Sequence, residues 1–176
     1  MTQAIVALVL GSAVVAAIIS SSISLLLQYS SSYRQDISRR RELYAKALAA
    51  CAAYREFPFA IRRRRQNDLE GERLRLSEAI RQVQQDLSFY AAWIESESVA
   101  VASAYRALLT ETRRVAGGYM RDAWNAPAPS TDAEMNIEGI SYAEITPLET
   151  GYLAAVREHL TPWWRRAVAT MWAGLR

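Results

Sequence analysis

The side chains that most often carry out catalysis are scarce in this chain, which has a single histidine, His159, and a single cysteine, Cys51. A Ser-His-Asp arrangement needs a histidine base, but His159 follows Glu158 in a pattern typical of a solvent-facing helix surface. A di-metal site in a helical bundle needs Glu-x-x-His pairs on two helices, and the sequence has none. One cysteine excludes an intrachain disulfide and a cysteine-based zinc site. We therefore expect no enzymatic activity, no cofactor and no metal.

Arginine offers a different chemistry, because its planar guanidinium binds phosphate groups bidentately. Ten basic residues lie between Tyr33 and Gln66 against three acidic ones, a net charge of +7, whereas the chain after Gln66 has 11 basic and 15 acidic residues. The acidic balance of that second part makes nucleic acid an unlikely partner and favours membrane lipid. The predicted membrane-flanking basic residues are Arg34, Arg39, Arg40, Arg41, Arg62, Arg63, Arg64 and Arg65.

An apolar stretch precedes these arginines. Residues 4–27 form a run of 24 uncharged side chains, and about 20 apolar residues are enough to cross the hydrocarbon core of a bilayer. A cleaved signal peptide is the main alternative, but such peptides have a basic first segment and a shorter apolar core. The sequence therefore predicts an uncleaved membrane anchor over residues 1–33.

The arginines also predict the orientation of that anchor. Basic residues accumulate on the cytosolic side of a membrane-spanning helix, and here they all follow the apolar stretch. We expect a single-pass protein of the cell inner membrane with its N-terminus outside and its C-terminal domain in the cytosol. The choice of a bacterial membrane depends only on the arginine- and alanine-rich composition.

Small side chains recur at every fourth position of the predicted anchor. A stripe of this kind lets two helix backbones approach closely in lipid, although alanine and serine are also simply common in this segment. Pairing of two anchors through this face is therefore one of two interpretations. The residues of the stripe are Ser12, Ala16, Ser20 and Ser24.

The longest periodic pattern lies further along the chain and steps by three, four or seven residues, as in a heptad seam. It predicts a helix of about 50 residues, about 75 Å long at 1.5 Å per residue, with Glu97 interrupting the seam. The chain's own helices or a second copy could cover this seam. Its residues are Leu76, Ile80, Val83, Leu87, Tyr90, Ile94, Val101 and Leu108.

The prolines of the cytosolic part predict where its helices begin and end. Pro58 predicts the end or a kink of a first helix, and residues 34–125 are expected to form a long helical hairpin. Residues 126–145 contain Pro127 and Pro129 and predict a linker or irregular segment. Thr146 and Pro147 predict a capped helix start within C-terminal amphipathic helices at residues 146–176. The Trp- and Arg-rich end of that segment suits either a membrane surface or packing on the long helix.

The expected fold is therefore all-α, with one N-terminal transmembrane helix followed by a long-helix antiparallel bundle or coiled-coil-like cytosolic domain. The first functional hypothesis is a structural or interaction protein, a scaffold or signal relay that associates with itself or with another membrane or cytosolic protein. The alternative is a phage-like or defence-type effector that oligomerises and perturbs the membrane. A sensor that binds a small ligand within the bundle is a third interpretation.

Overall fold

The computed structural model describes residues 31–135 and 139–162, and this part of the chain is all-helical. The chain divides into two compact units, Met1–Arg41 and Glu42–Arg176. In the first unit, residues 31–41 are helical, and Arg40 pairs with Asp36 one turn away at 3.8 Å. The predicted anchor and its stripe of small residues lie outside the described residues, apart from positions 31–33. Among the described residues, no helix combines the length and the apolar character needed to cross a membrane.

The described part of the second unit contains five helices and one short 3-10 turn. The helical residues 42–55 are called α1 here. The other elements are α2 (Phe57–Arg62), α3 (Leu69–Glu97), α4 (Val99–Asn125), a 3-10 turn (Asp132–Met135) and α5 (Thr146–Leu160).

The break between α1 and α2 follows from Pro58. Its ring has no N–H to donate and fixes φ near the helical value, so proline is tolerated only in the first turn of a helix. Glu56 forms a turn, α2 begins at Phe57, and Pro58 occupies that first turn. The predicted break at Pro58 is confirmed.

The prediction of one helix of about 50 residues is wrong, because the chain turns at Ser98. Ser98 is extended, with φ −163° and ψ 119°, and it separates α3 from α4. Its side chain accepts a hydrogen bond from the backbone N–H of Val101 at 3.4 Å, as an N-cap does. A heptad pattern identifies the apolar face of a helix. One long helix and two consecutive antiparallel helices can show the same pattern, so the periodicity did not reveal the turn.

The four long helices align along a common direction within this unit. Arg106 pairs with Glu95 beside the Ser98 turn, and α3 and α4 are close again at their other ends, where Arg73 and Trp124 line the same cleft. These two helices are therefore antiparallel. The Tyr105 and Tyr152 rings are 5.5 Å apart, and the Tyr119 hydroxyl accepts from the Ser141 N–H at 3.2 Å, so α5 is antiparallel to α4 as well.

Helices α1 and α2 run parallel to α4. Tyr105 donates to the Ala47 carbonyl at 3.3 Å, and Arg64, just after α2, donates to the Ala123 carbonyl at 2.9 Å. Ala123 follows Tyr105 by about five turns, so these two contacts are about 27 Å apart along α4 at 1.5 Å per residue. Glu42 and Arg64 consequently lie toward opposite ends of the second unit.

The start of α5 partly matches the expectation. The helix begins at Thr146 with Pro147 in its first turn. The predicted threonine cap is wrong, because Ile145 occupies the cap position without a side-chain hydrogen bond. The Thr146 hydroxyl instead donates back to the Tyr142 carbonyl at 3.5 Å. Ile145 is fully buried, so core packing sets this helix start where the polar pattern suggested a cap.

Candidate functional site

The heptad seam faces the interior of the second unit. Five of its residues are buried in the core, and the other three are half-buried and pack against it. The seam is therefore covered, at least in large part, by the other helices of the same chain. The buried five are Leu76, Leu87, Ile94, Val101 and Leu108, and the half-buried three are Ile80, Val83 and Tyr90.

The four consecutive arginines after Ile61 have different surroundings. Arg64 is only 7% exposed. Its guanidinium donates to the carbonyl oxygens of Ile61 at 3.0 Å and Ala123 at 2.9 Å, and also to that of Ala126. A cation suits the carbonyl end of a helix, where unpaired acceptors and the negative end of the dipole coincide. Arg64 therefore caps the C-terminus of α4.

The neighbours of Arg64 extend this contact to the segment that follows α4. Arg62 donates to the Pro127 carbonyl at 2.6 Å, and the Gln66 side chain donates to the Ala128 carbonyl at 3.0 Å. Arg63 is exposed and stacks over the Phe59 ring with its guanidinium carbon 5.9 Å from the centroid. Part of the basic run thus holds the start of the proline-containing segment against α2.

Arg65 belongs to an ion-pair cluster with Glu72 and Arg75. Glu72 is 2% exposed, and its carboxylate accepts from Arg75 and Arg65, each at 2.8 Å. The hydrogen bonds from Arg75 and then from Arg65 lower the pKa of Glu72 to about 2. This carboxylate is therefore charged throughout the physiological pH range.

The basic residues of the first unit are placed differently. Arg34, Arg39 and Arg41 are exposed, and Arg40 is half-buried. The two groups of predicted membrane-flanking arginines thus belong to separate compact units. Arg62, Arg63, Arg64 and Arg65 lie toward the end of the second unit that is remote from Glu42.

A cleft of about 440 Å³ opens beside Arg64. It lies between the turn that follows α2, the first turns of α3 and the end of α4. The Trp124 ring forms one wall, with the Arg64 guanidinium carbon 5.4 Å from its centroid. We call it the arginine cleft, and its lining residues are Arg64, Gln66, Leu69, Arg73, Trp124, Pro127 and Ala128.

A second surface feature lies on the outer side of α3. Phe89 is 57% exposed, and its ring contacts those of Tyr90 and Trp93 edge-on, with each pair of centroids 5.5 Å apart. We call Phe89, Tyr90 and Trp93 the aromatic patch. Tyr90 was part of the predicted seam, but the exposed ring of Phe89 lies off the heptad positions, so the seam pattern did not identify it.

Buried tyrosines join the helices through contacts that no sequence pattern predicted. The Cys51 thiol is 3.8 Å from the Tyr105 hydroxyl, which in turn donates to the Ala47 carbonyl. Burial raises the pKa of Cys51 to about 11. The thiol is therefore protonated at neutral pH, in keeping with a structural role for a small buried side chain.

Within residues 31–135 and 139–162, no three His, Cys, Asp or Glu side chains form a group that could hold a metal ion. The chain matches no model of a known protein family, and it is similar to no curated protein and to no solved structure.

Proposed function

We propose that this chain is a single-pass membrane protein whose helical unit acts as an interaction component, a scaffold or signal relay, at the cytosolic face of a bacterial inner membrane. The N-terminus would be outside, and the partner would be a second copy or another membrane or cytosolic protein. The anchor is supported by the uncharged run 4–27 and by the arginines that follow it.

The observation that carries the interaction role is the aromatic patch. Aromatic side chains are enriched at protein interfaces, and the exposed Phe89 ring extends the half-buried rings of Tyr90 and Trp93 into one aromatic surface. Most of the seam is buried by other helices of the same chain. Phe89 and Trp93 therefore offer a separate surface for a partner. We propose that an apolar surface of another protein chain covers this patch.

Photo-crosslinking in cells tests the interaction role. A benzophenone amino acid at position 89 of the full chain should give a specific protein adduct, whose mass separates a second copy from a different partner. The matched control is the same probe at Leu74, an apolar residue of α3 that is 74% exposed. Equal adducts at both positions, or none at position 89, would contradict the proposal.

Fractionation and topology assays test the anchor separately. The full chain should stay with membranes after carbonate extraction, and a C-terminal reporter should be active only in the cytosol. A matched chain with three arginines inserted before residue 4 should reverse or scramble the orientation, because the basic residues determine it. Recovery of the intact chain in the soluble fraction would contradict the anchor but leave the aromatic patch as a separate question.

The alternative, a membrane-perturbing effector, depends on the stripe at residues 12–24 and on the Trp- and Arg-rich segment 163–172, both outside the described residues. Expression of the full chain distinguishes the two. Loss of membrane potential that disappears when the anchor is deleted would favour the effector, whereas unchanged growth would favour the scaffold.

A further inference from the structure

Three arginines converge at the arginine cleft, and no acidic side chain is among the residues that line it. Arg64 and Arg73 line it, and Arg62 holds the neighbouring Pro127 carbonyl. In the described part of the chain, none of the three forms a salt bridge with an acidic side chain. The pKa of Arg64 is lowered mainly by burial and then by the positive charges of Arg62 and Arg73, which places all three charges within electrostatic reach.

The guanidiniums of Arg64 and Arg73 differ in how many N–H donors they have available for a ligand. A guanidinium has five N–H donors, and Arg64 uses three of its own on backbone carbonyls, so it is fixed in place with donors to spare. Arg73 is exposed and makes no hydrogen bond to another described residue. The acidic side chains at the start of α3 are placed as follows: Asp68 caps the helix and accepts from the Gly71 N–H at 2.9 Å, Glu72 pairs with Arg65 and Arg75, and Glu70 is exposed and forms no salt bridge with another described residue.

We propose that the arginine cleft binds a phosphate group through Arg73, with Arg64 and Arg62 supplying the fixed positive field. Guanidinium forks match the oxygens of a phosphate, and an anion would relieve the repulsion among the three cations. A volume of about 440 Å³ falls within the range of small-molecule sites, and Trp124 provides an apolar wall for the rest of the ligand. The phosphate could belong to a soluble metabolite or to a lipid headgroup.

Calorimetric titration of the purified full chain in detergent tests this site. Inorganic phosphate is the probe, and chloride keeps the ionic strength constant because screening alone weakens any surface attraction. Saturable binding is expected, and Arg73→Gln should weaken it about tenfold, equivalent to ~1.4 kcal/mol. The matched control is Arg157→Gln, which removes the same charge from an exposed position on α5.

A second variant and a second titrant separate the possible explanations of a binding signal. Arg73→Lys retains the charge but loses the fork, so its affinity should lie between those of the wild type and Arg73→Gln. Vesicles that contain phosphatidylglycerol replace inorganic phosphate in a parallel titration. A response to vesicles alone assigns the phosphate to a lipid headgroup, and a response to phosphate in solution assigns it to a soluble compound.

Three results would overturn the proposal: no saturable response in either titration, equal losses in the Arg73→Gln and Arg157→Gln variants, or acetate binding as tightly as phosphate. Far-UV circular dichroism of each variant confirms that the helices are intact. Arg73 is exposed and is bound to no other described residue, so its replacement is expected to leave the fold unchanged.

Discussion

The Tyr152 hydroxyl donates a hydrogen bond to the Tyr44 backbone carbonyl at 2.9 Å and so joins α5 to α1 across 108 positions of the sequence. Both tyrosines are buried, and burial raises the pKa of Tyr152 well above its usual value, so the hydroxyl keeps its proton. Among the described residues, this bond is one of three in which a tyrosine side chain reaches the backbone of α1. The other two are formed by Tyr105 with Ala47 and by Tyr142 with Arg55.

Removing one of these hydroxyls should weaken the packing of α5 on α1. We expect Tyr152→Phe to lower the free energy of unfolding by about 1 kcal/mol, the net contribution of a buried hydrogen bond. Chemical denaturation of the full chain followed by circular dichroism measures this change. Tyr33→Phe, at an exposed tyrosine, should leave the midpoint unchanged. An equal midpoint for wild type and Tyr152→Phe would show that this bond makes no net contribution.

The cap at the α3–α4 turn provides a second test. Ser98→Ala removes the acceptor for the Val101 N–H, and we expect a loss of about 1 kcal/mol, typical of an N-cap serine. The comparison is Ser103→Ala, at an exposed position within α4, where alanine is the better helix former and should be neutral or slightly stabilising. The same denaturation assay measures both, and a neutral Ser98→Ala would show that core packing alone determines the turn.

The Glu72 cluster predicts a dependence of stability on pH. The pKa of Glu72 falls from 4.5 to about 2 in the folded chain, so its ionised form stabilises the fold at and above the unfolded pKa. This contribution is lost as the pH falls toward the folded value. Glu72→Gln should therefore be less stable than the wild type at neutral pH, and the difference should shrink between pH 4.5 and pH 2. Thermal unfolding over this range measures the difference.

A matched substitution separates this effect from general acid denaturation. Glu70→Gln changes an exposed carboxylate of α3 that forms no salt bridge with another described residue. Its difference from the wild type should be small at every pH. If the gap between Glu72→Gln and the wild type stayed constant from neutral to acid, the ion pairs with Arg65 and Arg75 would not be its cause.

The burial of Arg64 predicts that neighbouring arginines of the run contribute differently to the stability of the second unit. Arg64→Met should destabilise the second unit by about 2 kcal/mol, because it leaves the last carbonyls of α4 without a charged donor. Arg63→Met changes an exposed side chain and should cost only about 0.5 kcal/mol, as expected for a solvent-exposed contact with an aromatic ring. Denaturant midpoints of the two variants test this ranking, and equal losses would contradict the capping role of Arg64.

The sequence predicts the all-α fold class and most of the apolar helix faces. Apolar residues at helical spacing lie on one side of a helix, and that side is buried against the core. Leu87, Ile94 and Leu108 show this directly, since each lies on the predicted seam and is fully buried. Proline chemistry likewise predicts the break near Pro58 and the helix start near Pro147. These features depend only on neighbours in the sequence.

The features that sequence analysis missed involve residues far apart along the chain. Arg64 meets Ala123 only after α3 and α4 have folded back at Ser98, and nothing in the run of four arginines distinguishes the one that becomes buried. The arginine cleft is assembled from three separate segments for the same reason. Ser98 itself had a local signal, because serine is a preferred helix cap, but the heptad pattern resumes after Glu97 and therefore favoured a continuous helix.

The single residue between α3 and α4 constrains how this chain can vary in length. One extra residue here would either separate the Ser98 hydroxyl from the Val101 N–H that it caps, or lengthen one of the two helices and rotate the apolar face beyond the insertion by about 100°. Gly139, in the segment between α4 and α5, has a positive φ of 81°, and no described atom lies within 4 Å of the position that a Cβ would take there. Insertions, epitope tags and fused domains should therefore be tolerated near Gly139 and rejected at Ser98.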